Sequence, residues 1–104
     1  MPAYVIVNVG ALDQEAGMAY APVAQRSVLS HGGRYLVAGP TPEPVEGSWD
    51  SSRFLVIEFP DMDRIRAWYD SPEYRRARET REGKVEVAML FVEGSPPEGF
   101  SLPA

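Results

Sequence analysis

The hydrophobic residues of this chain fall mainly into four short runs, each with the length of a β-strand. The runs are YVIVNV at 4–9, RYLVAG at 34–39, RFLVIEF at 53–59 and VEVAMLFV at 85–92. Runs of about four to eight residues rich in valine, isoleucine and aromatic side chains are typical of strands. We therefore predict four strands, the third of which ends at Pro60.

Two segments between these runs have the apolar spacing of amphipathic helices. The first follows Asp13, a possible helix cap, and repeats apolar residues at intervals of three and four: Ala16, Tyr20, Val23, Ala24 and Val28. The second follows Pro60, with Asp61 or Asp63 as its cap and an apolar stripe made of Met62, Ile65, Trp68 and Tyr69. Both stripes are expected to be buried against the strands.

Proline and glycine residues predict where these helices bend and end. Pro22 lacks a backbone donor and crowds the preceding turn, so we expect the first helix to kink or to begin afresh there. That helix should end at the His-Gly-Gly sequence of 31–33. The second helix should break at Ser-Pro, 71–72, and resume to Glu82. A proline-rich loop follows the second strand, and Val45 is a candidate to rejoin a strand edge there.

The order β-α-β-β-α-β predicts a ferredoxin-like α+β fold. With right-handed crossovers, the four strands form an antiparallel sheet in the spatial order 4-1-3-2, with both helices on one face. The opposite face should alternate to polar residues if it meets water, yet it carries Tyr4, Ile6, Phe54, Val56, Ala88, Leu90 and Val92. A second copy of the same sheet would cover it, so we predict a homodimer whose paired sheets enclose a barrel-like core.

Length and composition indicate one domain and a soluble protein. The 104 residues suffice for a single core, which we assign to residues 1–93. Residues 94–104 read as a flexible or draped tail, in which Phe100 and Leu102 could anchor on a partner subunit. The start of the chain lacks a basic secretory signal, and no segment approaches the roughly 18 apolar residues of a membrane span. We expect a cytoplasmic protein with no membrane partner.

Charge and cysteine content exclude several classes of function. The chain has no cysteine, so disulfides, thiolate–metal sites and a cysteine nucleophile are excluded, as expected in a reducing cytosol. The net charge of −5 opposes nucleic-acid binding. Residues 61–84 contain seven basic and six acidic side chains, and such interleaved charge is typical of a solvated helix face.

Three short segments carry a resemblance to a known family. HGGRY at 31–35, IEFP at 57–60 and AWYDSPEY at 67–74 resemble the DUF1330 family, and the likeness spans about residues 2–93. The resemblance implies a small dimeric α/β-barrel protein of unassigned activity. Related families on this fold include antibiotic-biosynthesis-type monooxygenases and muconolactone isomerase-like enzymes, so chemistry in a pocket is implied only by analogy of fold.

His31 and Glu58 are the candidate acid–base pair. His31 is the single histidine, and Glu58 is a carboxylate within an apolar strand, where burial could raise its pKa. Antiparallel pairing should bring Glu58 to the end of the sheet where the first helix delivers His31. Alternatively, His31 bonds the terminal carbonyls of its helix and Glu58 pairs with Arg34 or Arg53. With one histidine and no cysteine, no metal site and no cofactor are predicted.

Aromatic residues are the candidate walls of a ligand site. Trp68, Tyr69 and Tyr74, with Trp49 from the loop, would suit a flat apolar ligand in a cleft between the second helix and the sheet. Aromatic residues at helical spacing are also typical of a core, so packing is the alternative. Asn8, a polar residue in a central strand, could orient a ligand or satisfy an irregularity of that strand.

Two functions remain open from the sequence. The first is a dimeric protein that binds a small hydrophobic or aromatic metabolite, or that serves as a stable module. The second is a cofactor-independent enzyme, oxygenase-like or isomerase-like, that uses His31 and Glu58 as acid and base.

Overall fold

The computed structural model describes residues 1–49 and 52–94, which form seven regular elements. The strands are β1 (Ala3–Leu12), β2 (Arg34–Ala38), β3 (Arg53–Phe59) and β4 (Val85–Glu93), and the helices are α1 (Gln14–Ser30), α2 (Met62–Tyr69) and α3 (Pro72–Arg81). Residues 95–104 of the predicted tail, which include Phe100 and Leu102, lie outside the described residues.

The four strands form one antiparallel sheet in the order β2-β3-β1-β4. This is the predicted order 4-1-3-2 read from the other edge, so the α+β ferredoxin-like prediction is confirmed. Residues 40–49 contain no strand, and Val45 is 87% exposed, so the suggestion that Val45 rejoins a strand edge is wrong. The three prolines of this loop explain the result, because they remove backbone donors that a strand edge needs.

Side-chain caps begin all three helices. Asp13 Oδ1 accepts a hydrogen bond from the backbone N–H of Ala16 at 3.1 Å and caps α1. Asp61, rather than Asp63, caps α2, since its carboxylate accepts from the backbone N–H of Arg64 at 2.8 Å. Ser71 caps α3 directly before Pro72, which confirms the predicted break in the second helical segment.

The first helix continues through its proline. α1 is one helix from Gln14 to Ser30 with Pro22 inside it, so it does not begin afresh at that residue. It ends as predicted: Gly32 has a φ of +85°, which glycine adopts readily. Gly33 is needed for space, because a Cβ there would stand 2.7 Å from Val28 and 2.8 Å from Phe59.

The core lies between the helices and one face of the sheet. It includes Val5, Val7, Ile57, Phe59, Ile65, Trp68 and Tyr74, all buried. We call the other face, which carries the alternate strand residues, the outer face. Within the described part of the chain no helix covers the outer face, and Leu90 and Val92 are 56% and 43% exposed on it. Among the described residues, no helix has the length and apolar character required to cross a membrane.

Candidate functional site

A cavity of about 280 Å³ lies between α1 and the helix-side face of the sheet. The strands supply an apolar floor that includes Val7, Val9, Leu55, Ile57, Val87 and Met89. The α1 side chains Tyr20, Ala24 and Val28 line the opposite wall, as expected from their shared helical stripe. Trp68 of α2 and Arg81 of α3 also line the cavity. The cavity is therefore mostly apolar, with a few polar groups.

Two tyrosines and an arginine form the main polar group at this cavity, which we call the tyrosine–arginine cluster. The hydroxyls of Tyr20 and Tyr74 lie 2.8 Å apart and are hydrogen-bonded. Arg81 Nη2 donates to the Tyr74 hydroxyl at 3.3 Å, and the Arg81 guanidinium lies over the Tyr20 ring at 5.2 Å. Tyr20 and Arg81 line the cavity, whereas Tyr74 is fully buried behind them. The cluster joins α1 to α3 and places polar atoms beside an apolar space.

Burial raises the pKa values of two tyrosines at the cavity. Burial, followed by the interaction with Tyr74, raises the pKa of Tyr20 far above its usual value of 10. Tyr35 also lines the cavity, and burial is the main cause that raises its pKa to about 12. Both groups are therefore neutral phenols, which can donate or accept a hydrogen bond.

Trp68 is both a core residue and a wall of the cavity. It is 1% exposed and packs against Phe59 and Tyr74, with ring centroids 5.4 and 4.2 Å away. Its indole Nε1 donates to Ser27 Oγ at 3.0 Å, and that hydroxyl donates to the Ala24 carbonyl at 2.7 Å. The hydrogen bonds fix the ring between α1 and α2.

The other predicted aromatic residues do not share one position. Tyr69 is half-buried and contacts Trp68, Tyr74 and Phe91, but it does not line the cavity. Trp49 is 50% exposed and instead makes an edge contact with Phe54, whose centroid is 6.3 Å away on the outer face. The grouping of Trp49 with the helix aromatics is wrong, because the loop after β2 folds over the opposite side of the sheet.

The structure does not bring His31 and Glu58 together. The His31 ring is on the helix side, where Nδ1 donates to the Ser27 carbonyl at 2.8 Å and so completes the end of α1. Glu58 is on the outer face, where Arg34 Nε donates to its carboxylate at 2.8 Å. A hydrogen bond with the same carboxylate raises the pKa of Tyr4, the residue opposite Glu58 in β1. The alternative roles given above therefore describe this geometry: His31 bonds a carbonyl at the end of its helix, and Glu58 pairs with Arg34.

Asn8 also lies away from the cavity. It occupies the outer face of the central strand β1, opposite Phe54 in β3 and Ala88 in β4. Its Oδ1 is buried and has no hydrogen-bond partner among the described residues. A buried acceptor without a donor is costly, so a donor from beyond the described residues would stabilise this position.

Sequence reasoning did not select Tyr20, Tyr35 or Arg81 as site residues. Tyr20 appeared only as part of the apolar stripe of α1, and Arg81 only as one of several interleaved charges. The position of Tyr20 on a buried helical stripe was a signal that could have identified it, because a buried hydroxyl requires a hydrogen-bond partner. The identity of that partner, 54 residues away, depends on how α1 packs against α3.

Solved structures with the same fold include proteins of unknown function. A protein of unknown function from Rhodopseudomonas palustris has a TM-score of 0.72 and 19% identity, with 92% of this chain and 84% of that chain covered. A protein from Jannaschia sp. CCS1, described as dimeric, ferredoxin-like and of unknown function, has a TM-score of 0.69 and 14% identity, with 90% and 100% covered.

An enzyme is also among the similar structures. SnoaB, a cofactor-independent oxygenase from Streptomyces nogalater, has a TM-score of 0.57 and 12% identity, with 94% of this chain and 95% of that chain covered. Identities this low show the shared fold and not a shared reaction. A comparison with curated proteins gives no match.

A family model matches nearly the whole chain. The model described as "Domain of unknown function (DUF1330)" matches residues 2–95, which includes all seven elements of the fold. This agrees with the resemblance seen in the HGGRY, IEFP and AWYDSPEY segments. The chain therefore belongs to the DUF1330 family.

Proposed function

We propose that this protein binds a small hydrophobic or aromatic metabolite in the cavity between α1 and the sheet. The observation that carries the proposal is an apolar cavity of about 280 Å³ with the tyrosine–arginine cluster in its wall. Ligand pockets are typically apolar concavities with a few convergent polar groups that fix orientation. This arrangement has both features.

The size of the cavity restricts the class of ligand. Small-molecule pockets commonly span about 300–1,000 Å³, and this cavity of about 280 Å³ is slightly below that range. It suits a compact molecule of one or two fused rings rather than a dinucleotide or a long lipid chain. Trp68 would provide a flat wall, with Tyr69 and Tyr74 packed behind it as support.

We also propose that the protein is a homodimer that associates through the outer face. The supporting observations are the exposed apolar residues on this face and the buried Oδ1 of Asn8, which has no partner within residues 1–49 and 52–94. A similar structure from Jannaschia sp. is described as dimeric. In this arrangement Asn8 serves the subunit interface, and the cavity lies on the other side of the sheet.

An enzyme that uses His31 and Glu58 receives no support from this geometry. The two side chains occupy opposite sides of the sheet, and each is engaged in a structural contact. A general acid and base must lie within hydrogen-bond reach of one substrate, directly or through one water. Binding is therefore the function that the cavity supports best.

Binding of an uncharged two-ring compound tests the proposal. We expect naphthalene-2-carboxamide to bind the wild-type protein, as measured by calorimetry and by chemical-shift changes at Ala24 and Trp68. Ala24→Leu adds three carbon atoms inside the cavity and should abolish binding while the protein stays folded. The matched control is Ala19→Leu, an exposed position of the same helix that does not line the cavity. Equal binding by both variants would contradict the location of the site.

A further inference from the structure

A second groove opens beside the cavity, and Arg81 belongs to the walls of both. The groove has a volume of about 350 Å³ and is lined by Tyr69, Arg75, Arg78, Glu79, Arg81 and Glu82. Arg81 is also part of the cavity lining. It is thus the side chain shared by an apolar cavity and an ionic groove.

Arg78 and Arg81 each have a donor that no described residue of the chain accepts. The Nε atoms of both residues are buried and lack a hydrogen-bond partner among the described residues. Within 1–49 and 52–94, no carboxylate forms an ion pair with either guanidinium. Glu79 and Glu82 line the groove but are not paired with them. Because a buried donor without an acceptor is costly, these positions call for an acceptor from a ligand.

Aromatic rings hold the two guanidinium groups. Arg78 lies over the Tyr69 ring at 4.2 Å and at 5.6 Å from the Tyr74 centroid. Arg81 lies over the Tyr20 ring at 5.2 Å. A guanidinium stacked on a ring keeps its N–H edge free for a planar oxyanion, and its geometry suits bidentate contact with a carboxylate. The arginines are therefore partly preorganised for an anion.

The local charge of the groove differs in sign from that of the whole chain. Three arginines face two glutamates in the groove, whereas the chain carries a net charge of −5. A locally positive groove on an acidic protein attracts an anion to this position in preference to the rest of the surface.

We infer that the ligand is an amphipathic organic anion. Its compact apolar body occupies the cavity, and its carboxylate or equivalent oxyanion is bound by Arg81, with Arg78 as the second cation. This inference rests on the proposed binding function and adds the chemical class of the ligand. Tyr20, a neutral phenol in the cavity wall, is a further donor to the same oxyanion.

A matched pair of compounds tests the inference. Naphthalene-2-carboxylate and naphthalene-2-carboxamide have the same ring system and nearly the same shape, but only the first is an anion. We expect the wild-type protein to bind the carboxylate at least about tenfold more tightly, since hydrogen bonds to charged groups are the stronger ones. This preference should shrink as ionic strength rises from about 0.05 to about 0.5 M.

Substitutions on α3 locate the anion. Arg81→Gln should weaken carboxylate binding by about tenfold or more and leave carboxamide binding within about threefold. Arg81→Lys, which keeps the charge, should retain part of the preference, and Arg78→Gln should lower it to a smaller extent. Arg76→Gln is the matched control, because Arg76 is exposed on the same helix and lines neither the cavity nor the groove.

The possible outcomes separate the inference from the function on which it rests. Equal affinity of the wild-type protein for both compounds would overturn the inference and leave the proposed function standing. No binding of either compound would overturn both. If Arg81→Gln does not fold, the wild-type preference, its salt dependence and the Arg78→Gln result decide the inference.

Discussion

At the scale of single residues, Trp68 links the stability of the protein to its cavity. The ring is almost fully buried, is hydrogen-bonded to Ser27, and forms part of the cavity wall. The spacing of Trp68 in the sequence indicated a buried residue. A buried residue can also line a cavity, so the core interpretation and the ligand-wall interpretation are compatible. A substitution here therefore affects folding before it affects binding.

Trp68→Ala should destabilise the protein by about 3–5 kcal/mol, because it removes a large buried side chain and leaves a void. Trp68→Phe keeps a ring but loses the hydrogen bond to Ser27, so its effect should be smaller. The free energy of unfolding in urea measures both. Wild-type stability for Trp68→Ala would show that the residue is not part of the core.

The raised pKa of Tyr35 predicts that the protein loses stability in alkaline solution. Its pKa is raised from 10.0 to about 12 in the folded protein, mainly by burial. Above pH 10 the unfolded chain releases this proton first, so the folded state is disfavoured progressively as pH rises through 12. Urea unfolding at pH 8 to 12 should show a smaller alkaline loss for Tyr35→Phe, by on the order of 2 kcal/mol at pH 12. Parallel pH profiles of the two proteins would contradict this assignment.

At the scale of elements, a capped break divides the second helical segment into α2, which packs on the sheet, and α3, which packs mainly against α1. α2 supplies Trp68, and α3 supplies Tyr74 and Arg81. The break at Ser71 and Pro72 lets α3 take its own direction and pack mainly against α1. The tyrosine–arginine cluster depends on that contact, since Tyr20 comes from α1.

The cap of α2 gives an element-scale prediction. Asp61→Ala should destabilise the protein by about 0.5–2 kcal/mol, because the backbone N–H of Arg64 loses its acceptor. Asp61→Asn is the control, since its side-chain oxygen can still accept this bond. Thermal and urea unfolding compare the three proteins. If Asn is as destabilising as Ala, the charge and not the cap hydrogen bond is responsible.

At the scale of the whole molecule, the two faces of the sheet differ in what covers them. The helix-side face forms the core and the cavity, and the outer face leaves Leu90 and Val92 exposed in a single chain. An apolar face of this kind is typical of an interface, for which a stable pair would bury roughly 800 Å² per subunit.

Leu90→Arg should convert the proposed dimer to a monomer. The side chain is 56% exposed in the single chain, so the change should disturb association without removing core contacts. Sedimentation equilibrium at micromolar concentration should give 11.5 kDa for the variant and twice that mass for the wild type. Met18→Arg, at a 71% exposed position on α1, should stay dimeric. A wild-type monomer at this concentration would refute the proposal.

The sequence by itself determined the elements and their order. Strand runs, helical stripes and the Ser71–Pro72 break are local patterns, because period, propensity and capping depend on residues a few positions apart. The antiparallel order then followed from the short connections and the handedness of the crossovers. The sequence left open whether α1 kinks or begins afresh at Pro22, and the helix is continuous because its packing can outweigh one lost backbone bond.

The tertiary structure decided which side chains meet. Glu58 was a candidate base until its position opposite Tyr4 placed it on the outer face, where Arg34 binds it. Tyr20 and Arg81 were not candidate site residues until the packing of α1 against α3 aligned them with Tyr74. Contacts between residues distant in sequence depend on strand parity and helix packing, and a change of one residue in either moves a side chain to another face. For this reason the fold was readable from the sequence, and the site was not.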